Sequence, residues 1–130
     1  MNIWIVEDDA GYRRNLRMSL ELEACITVGR VFPSCFEFFN ALEAETSPDV
    51  VLMDLGLPGM SGIEAIQKLS EVAPDIAVMV LTVFKDKERV REALDAGAAG
   101  YLLKASDGPE IISSLQKVVA GEIALSPALT

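Results

Sequence analysis

The stretch VVLMDLGLPG, residues 50–59, has the pattern of a buried strand that ends in an acid. Four apolar residues run directly into Asp54, and the turn formers Gly56, Pro58 and Gly59 follow at once. This pattern places Asp54 at the carboxyl end of a central strand, where open α/β sheets bind their ligands. Taken alone, an Asp in this position more often ends a strand or caps a turn. Other parts of the chain favour the functional interpretation.

Length and composition predict one ordinary globular domain. The chain has 130 residues, of which 51% are hydrophobic and 24% charged, so it can form a core without disulfides or metals. Its formal charge of −9 predicts that the domain repels nucleic acids and anionic membranes. Cys25 and Cys35 lack the spacing of a metal site and are typical of core residues in a reducing cytoplasm, although a disulfide between them stays open.

The apolar runs of the chain predict neither export nor membrane insertion. The apolar start at residues 3–6 meets three acids, without the basic flank or cleavage site of a signal peptide. The longest apolar run, near residues 76–83, is far too short to span a bilayer. We therefore expect a cytoplasmic protein that makes no contact with membranes.

Apolar runs of strand length alternate with helical patterns along the chain. The predicted strands cover residues 3–6, 26–32, 50–54, 76–82 and 100–103. The helical patterns that follow them lie near residues 9–22, 34–46, 61–73, 86–96 and 109–120. Such alternation implies a parallel sheet with right-handed crossovers and helices on both faces. The predicted fold is α/β, a flavodoxin-like (βα)₅ three-layer sandwich with strand order 2-1-3-4-5.

Polar side chains end four of the predicted strands: Glu7, Asp8 and Asp9 after the first, Asp54 in the third, Thr82 in the fourth and Lys104 after the fifth. Because the first and third strands are neighbours in the predicted order, Glu7, Asp8 and Asp54 are expected to converge. Three adjacent carboxylates stay ionised at neutral pH only beside a divalent cation, and oxygen ligands without His or Cys favour Mg²⁺. Lys104 and Thr82 would add a cation and a hydroxyl, which suits a transferring phosphoryl group.

Each of these residues also has an ordinary explanation. Asp9 is a candidate N-cap of the first helix, in which Tyr12 and further apolar residues recur at roughly helical spacing. Thr82 is a common strand residue, and a single Lys104 is typical of a protein surface. Their joint occurrence at the ends of four apolar strands nevertheless favours a functional site.

Four stretches resemble the signatures of bacterial response-regulator receiver domains. They are VEDD at 6–9, MDLGLPGMSG at 53–62, VLT at 80–82 and GYLLK at 100–104. Their order and spacing match over nearly the whole chain. The resemblance implies a phospho-acceptor domain of CheY-like fold, in which a sensor histidine kinase donates a phosphoryl group to Asp54. Such a domain is not an enzyme, apart from its own phosphorylation and slow autodephosphorylation.

The resemblance also implies a metal site. Asp8, Asp54 and the backbone carbonyl of Gly56 are expected to ligate Mg²⁺, and Glu7 is expected to hold metal-bound water. All four residues lie in the matching signatures. Mg²⁺ is therefore the expected cofactor.

Thr82, Lys104 and Tyr101 are expected to respond to the phosphoryl group. The resemblance implies that Lys104 and Thr82 contact the phosphoryl oxygens. The phosphoryl group would draw the Thr82 hydroxyl inward, and Tyr101 would turn into the space vacated, which makes this pair a candidate switch. Tyr101 fits equally well as an edge residue with a solvated hydroxyl.

Three further features are similar to the NarL/LuxR group of transcriptional regulators. These are VLTVF at 80–84, the Lys104-Ala105 step and GEIALSP at 121–127. Members of the group continue into a helix-turn-helix DNA-binding domain. We therefore expect a receiver domain over residues 1–121 and the start of a linker over 122–130, either excised from a regulator or, less in keeping with the pattern, standing alone. The implied partners are a sensor histidine kinase, a second copy after phosphorylation, and DNA only through the output domain.

Three residues bear on access to the acceptor. Val83 stands where receivers often have a small residue, and Phe84 is bulky and lies two residues after Thr82. Gly56 lacks a side chain on the other side of Asp54. Phe84 would limit the access of water to a phosphorylated Asp54, whereas the missing side chain of Gly56 would increase it. Their net effect on hydrolysis is therefore not predicted.

The dimer face also stays open. The predicted helix at 86–96 carries mixed charges, which are typical of a solvated helix and also fit a partner surface. Val118, Val119 and Ile123 are alternative candidates.

Three other function classes compete with the receiver interpretation. A phosphohydrolase of the haloacid-dehalogenase type needs a second Asp two residues after the nucleophile, where this chain has Gly56. A flavin- or nucleotide-binding protein needs a phosphate loop after the first strand, where this chain has acids. A receiver-like domain that only binds partners is disfavoured by the complete set of site residues.

Overall fold

Strands and helices alternate in the predicted order in a computed structural model that describes residues 1–129. The strands are β1 (Asn2–Val6), β2 (Thr27–Phe32), β3 (Val50–Met53), β4 (Ala77–Thr82), β5 (Gly100–Leu103) and β6 (Ala124–Leu125). The helices are α1 (Ala10–Glu21), α2 (Cys35–Ala44), α3 (Gly62–Val72), α4 (Lys87–Ala96) and α5 (Gly108–Val119), followed by a 3₁₀ turn at Pro127–Leu129.

All strand pairs in the sheet are parallel, in the order β2-β1-β3-β4-β5-β6. This confirms the predicted α/β fold and the order of its first five strands. Val6 pairs with Met53, and Thr82 pairs with Leu103. The central strands therefore end close to one another, and the residues that follow them meet at one edge of the sheet.

The sixth strand differs from the sequence-based prediction. The segment Ala124–Leu125, which the sequence predicts to lie in a linker, runs parallel to β5. The Ala124 amide donates to the Ala99 carbonyl (3.1 Å), and the Ser126 amide donates to the Tyr101 carbonyl (3.0 Å). These bonds satisfy backbone groups that β5 would otherwise leave unpaired at the sheet edge. A strand of two residues has no periodicity, so the sequence pattern does not reveal it; the domain boundary at residue 121 stays a prediction.

The sheet separates two hydrophobic cores because alternate strand residues point to opposite faces. Trp4 and Val6 face the side covered by α2, α3 and α4, whereas Ile3 and Ile5 face the side covered by α1 and α5. On the first side Trp4 packs edge to face against Phe32, with the ring centroids 5.4 Å apart. The result is the predicted three-layer arrangement.

Each of the five α-helices begins with a side-chain cap. The cap accepts a hydrogen bond from the backbone amide three residues later, at Asp9, Ser34, Ser61, Asp86 and Asp107. Such caps satisfy amides that have no partner inside the helix. The prediction that Asp9 caps the first helix is therefore confirmed.

Apolar residues that the helical patterns do not distinguish differ in their burial. In α1, Leu16 and Leu20 are buried, but Met18 is 63% exposed. Val118 packs in the core under α5, so it is not available for a dimer face, whereas Val119 is half-exposed.

Two further expectations concern membrane insertion and the two cysteines. Within residues 1–129, no helix combines the length and apolar composition needed to cross a membrane. Cys25 is exposed and Cys35 is buried, and both are free thiols, so the structure contains no disulfide between them.

Candidate functional site

Three carboxylates meet where β1 and β3 end. Glu7, Asp8 and Asp54 each place a carboxylate oxygen within 4.8 Å of the others. Glu7 and Asp54 are buried, with 3% and 7% of their surface exposed, whereas Asp8 is exposed. The arrangement follows from the sheet register, since Glu7 and Asp54 directly follow the paired residues Val6 and Met53.

The Lys104 ammonium lies among these carboxylates. It forms an ion pair with the Glu7 carboxylate, and its Nζ donates to Asp54 Oδ2 at 3.3 Å. Only 17% of the Lys104 side chain is exposed. The Lys104 amide donates to the Thr82 carbonyl (2.8 Å), so the pairing of β4 with β5 brings this lysine to the site. The ammonium partly compensates the negative charge that burial would otherwise make unfavourable.

Burial and charge determine the protonation of this cluster. Burial raises the pKa of Glu7 to about 7, and the Asp54 carboxylate adds to this rise, although the bonds from Lys104 and from the Asp9 amide oppose it. Burial lowers the pKa of Lys104, but its bond with Glu7 and the charge of Asp54 outweigh that effect, so the net pKa is raised. Lys104 therefore keeps its positive charge at neutral pH.

Asp54 is held by the turn that follows β3. The Gly56 amide donates to Asp54 Oδ1 (3.2 Å), and the Asp54 amide donates to the Val6 carbonyl (3.1 Å). One carboxylate oxygen is therefore bonded to the turn and the other to Lys104. Metal ligation by the Gly56 carbonyl stays a prediction.

The donors at this edge of the sheet fit a divalent cation of the Mg²⁺ type. The donor set consists of oxygens, and Mg²⁺ prefers oxygen ligands. Asp8 is exposed, so a bound cation would keep contact with solvent, as Mg²⁺ requires because it retains several of its waters.

Thr82 and Tyr101 are linked through the backbone of Phe84. Thr82 Oγ1 accepts a hydrogen bond from the Phe84 amide (3.4 Å), and the Tyr101 hydroxyl donates to the Phe84 carbonyl (2.6 Å). Both Thr82 and Tyr101 are fully buried. The interpretation of Tyr101 as an edge residue with a solvated hydroxyl is therefore wrong, while its role as a switch stays a prediction.

The Phe84 ring lies beside Gly56. A Cβ atom added to Gly56 would be 3.2 Å from Cε2 of Phe84, so the ring occupies the space next to the Asp54 turn. The Arg89 guanidinium lies over the ring, 4.1 Å from the Phe84 ring centroid, and pairs with Asp86. The Val83 side chain is 66% exposed and is therefore not packed against the buried Asp54 carboxylate.

Residues 3–116 match the family described as the response regulator receiver domain. The chain belongs to this family. It is 35% identical over 130 residues to the response regulator GacA of Pseudomonas aeruginosa, covering 99% of this chain and 60% of GacA. It is 33% identical over 128 residues to the nitrate/nitrite response regulator protein NarL of Escherichia coli strain K12, covering 98% of this chain and 59% of NarL. The chain thus spans about 60% of the length of these relatives.

The solved structures agree with this membership. The crystal structure of a LuxR-family two-component response regulator from Aurantimonas sp. SI85-9A1 matches with a TM-score of 0.92 and 31% identity, over 98% of this chain and 91% of that one. The sequence-based resemblance to NarL/LuxR-type receivers is therefore confirmed.

Sequence patterns missed three contacts of the receiver site. Arg13 Nη1 donates to the Glu7 carbonyl (2.6 Å), Arg89 stacks on Phe84, and the Tyr12 ring lies under the Lys104 ammonium. All three residues lie in the first turns of α1 or α4, next to the strand ends. Their place in the sequence could have indicated these contacts. All three residues come shortly after a strand that ends at the site, and the first side chains of a helix point towards that edge of the sheet.

Replacing Lys104 with Met is expected to lower the free energy of unfolding by about 2 kcal/mol without Mg²⁺, because Glu7 and Asp54 lose their charged partner. Mg²⁺ is expected to restore part of this loss, since a cation at the carboxylates replaces the ammonium. Urea unfolding with and without Mg²⁺ measures both effects. Lys85→Met is the matched control, because Lys85 is exposed near the same edge of the sheet. Equal stability of the two variants would show that Lys104 does not stabilise the carboxylates.

Proposed function

We propose that this receiver domain accepts a phosphoryl group on Asp54 from a sensor histidine kinase in a Mg²⁺-dependent reaction. One observation carries the proposal: a buried carboxylate at the end of β3 lies 3.3 Å from a lysine ammonium and within 4.8 Å of two further carboxylates. This arrangement joins a nucleophile, a cation for the phosphoryl oxygens and a set of metal ligands in one place.

The chemistry is an in-line transfer. An Asp54 carboxylate oxygen forms a bond to phosphorus, while the bond from phosphorus to the donor's histidine nitrogen breaks and the nitrogen keeps the bonding pair. Lys104 stabilises the charge on the phosphoryl oxygens. Asp8, Asp54 and the Gly56 carbonyl would hold Mg²⁺, with Glu7 binding its water. When bound, the ion neutralises charge that develops during the transfer.

Phosphorylation would then change the surface through Thr82 and Tyr101. Both side chains are bonded to the backbone of Phe84. A Thr82 hydroxyl that turns towards the phosphoryl group would lose its hydrogen bond from the Phe84 amide. The Phe84 backbone could then move, which would weaken the hydrogen bond that its carbonyl accepts from the Tyr101 hydroxyl. The pair is therefore the proposed bistable element. Slow autodephosphorylation would return it to its first state.

We further propose that the receiver controls transcription in a longer protein with a C-terminal DNA-binding domain, in the cytoplasm. This proposal is supported by the similarity to NarL, a nitrate/nitrite response regulator. The match covers 59% of the length of NarL. Dimers are part of the proposal, because RcsB, a neighbour in fold, has been solved as two dimers bound to two parallel DNAs. Val119 and Ile123 are exposed and stay candidates for such a contact.

The mass of the intact protein tests the acceptor function. Incubation with acetyl phosphate and Mg²⁺ is expected to add the mass of one phosphoryl group to most of the protein. A parallel sample with EDTA is expected to stay unlabelled. A receiver of known activity serves as the positive control. If that control is labelled and this chain is not, the domain binds partners without phosphorylation, and the acidic cluster belongs to a binding surface.

A further inference from the structure

The Lys104 ammonium has a third neighbour that the acceptor chemistry does not use. Besides Glu7 and Asp54, it faces the aromatic ring of Tyr12, with Nζ 4.6 Å from the ring centroid. A cation at this distance from an aromatic face is attracted by the negative charge on the ring surface. The ammonium is therefore held between two carboxylates and one ring.

A hydrogen bond and core packing hold Tyr12 in place. Its amide donates to Asp9 Oδ1 (3.1 Å), so the cap of α1 sets the backbone at this residue. The side chain is partly buried and packs against the core between the sheet, α1 and α5. Burial raises the pKa of Tyr12 to about 12, so its hydroxyl stays protonated and the side chain is uncharged at neutral pH. The ring thus presents a fixed, uncharged face to Lys104.

Lys104 needs such a support because its stem is long and flexible. A lysine side chain has a flexible four-carbon stem and loses entropy when it is held in one place. A cation bound to the carboxylates would compete with Lys104 for Glu7 and Asp54, whereas it would leave the contact with the ring intact. The ring is then the remaining contact that orients the ammonium towards a phosphoryl group.

We infer that Tyr12 is a positioning residue that holds the Lys104 ammonium where Asp54 receives the phosphoryl group. The inference rests on the proposed function. Sequence periodicity explains Tyr12 only as an apolar position of α1; the structure adds that its ring faces a cation.

Two binding measurements on the full chain test this role. Mg²⁺ is titrated first by calorimetry, and beryllofluoride, which mimics a phosphoryl group, is titrated second at saturating Mg²⁺. In Tyr12→Leu we expect beryllofluoride affinity and the initial rate of labelling by acetyl phosphate to fall about fivefold, as for the loss of an ordinary cation–π contact. Mg²⁺ affinity is expected to stay within about twofold, because the carboxylates are unchanged. Tyr12→Phe keeps the ring and is expected to behave as the wild type.

The outcomes separate positioning from structure. A parallel fall of both affinities in Tyr12→Leu would show that the start of α1 is disturbed, and it would overturn the inference. Unchanged beryllofluoride affinity in Tyr12→Leu would overturn it as well. If Tyr12→Leu does not fold, Tyr12→Met is the second ring-free variant, with the same expected split. A wild type that neither binds beryllofluoride nor is labelled overturns the proposed function itself, and this inference with it.

Discussion

Asp54→Asn is expected to abolish labelling by acetyl phosphate, to the level of the EDTA sample. The amide has no anionic oxygen to attack phosphorus, whereas its size and shape match the carboxylate. The variant is expected to stay folded, because the Asn carbonyl oxygen still accepts the bond from the Gly56 amide that Asp54 Oδ1 accepts at 3.2 Å. Its free energy of unfolding should stay within about 1 kcal/mol of the wild type, since a lost bond to Lys104 is offset by reduced repulsion from Glu7. Intact mass and urea unfolding measure the two quantities.

Asp9→Asn is the matched control for this variant. Asp9 lies in the same acidic stretch, but its side chain caps α1 by accepting from the Tyr12 amide (3.1 Å). Asn is an equally good cap, so labelling and stability should both stay as in the wild type. Labelling of Asp54→Asn to the wild-type extent, with the same need for Mg²⁺, would place the acceptor at another residue.

Gly62→Ala is expected to destabilise the domain by about 3 kcal/mol and to slow labelling. Gly62 is the first residue of α3 and is buried. A Cβ atom there would lie 2.4 Å from the Asp54 carbonyl oxygen and 2.8 Å from the Leu55 Cα. Both neighbours are backbone atoms that cannot turn away as a side chain does, so the loop that carries Asp54 must shift. Urea unfolding measures the loss of stability, and the initial rate of mass gain measures how far the shift of the Asp54 loop slows labelling.

Gly108→Ala provides the matched control for Gly62→Ala. Gly108 is also the first residue of a helix and also follows a capping residue, Asp107. A Cβ atom at Gly108 would meet no atom within 4 Å. We expect its stability to be unchanged or raised by up to about 1 kcal/mol, because Ala is a better helix former than Gly. Equal stability of the Gly62→Ala and Gly108→Ala variants would mean that α3 is free to move away from the Asp54 loop.

These two glycines show the limit of sequence patterns. Ser61-Gly62 and Asp107-Gly108 have the same local pattern, a cap followed by glycine. The close contact of Gly62 depends on where β3 and α3 meet, and that distance is a property of packing. The same is true of Tyr12, whose periodic spacing indicates only that it lies on the inner face of α1.

Local patterns are sufficient for the parallel sheet and for the ends of the central strands, whereas the strand order comes from the flavodoxin-like arrangement that such alternation favours. Apolar runs that alternate with capped helices predict a parallel sheet, and its register brings residues after neighbouring strands together. The convergence of Glu7, Asp8, Asp54 and Lys104 follows from this register, which is why sequence patterns alone place them at one edge of the sheet. Their chemical roles stay proposals until labelling is measured.

By itself the sequence determined the class of fold, the cap of the first helix and the edge of the sheet where acids and lysine gather. These features depend on periodicity and on neighbours along the chain, which local patterns record. Only the tertiary structure decided the sixth strand, the burial of the Tyr101 hydroxyl against Phe84 and the contact of the Tyr12 ring with Lys104. Each of these contacts joins residues that are far apart in the chain, through side-chain packing or through pairing at the sheet edge. Such contacts form only when the sheet and the helices have assembled.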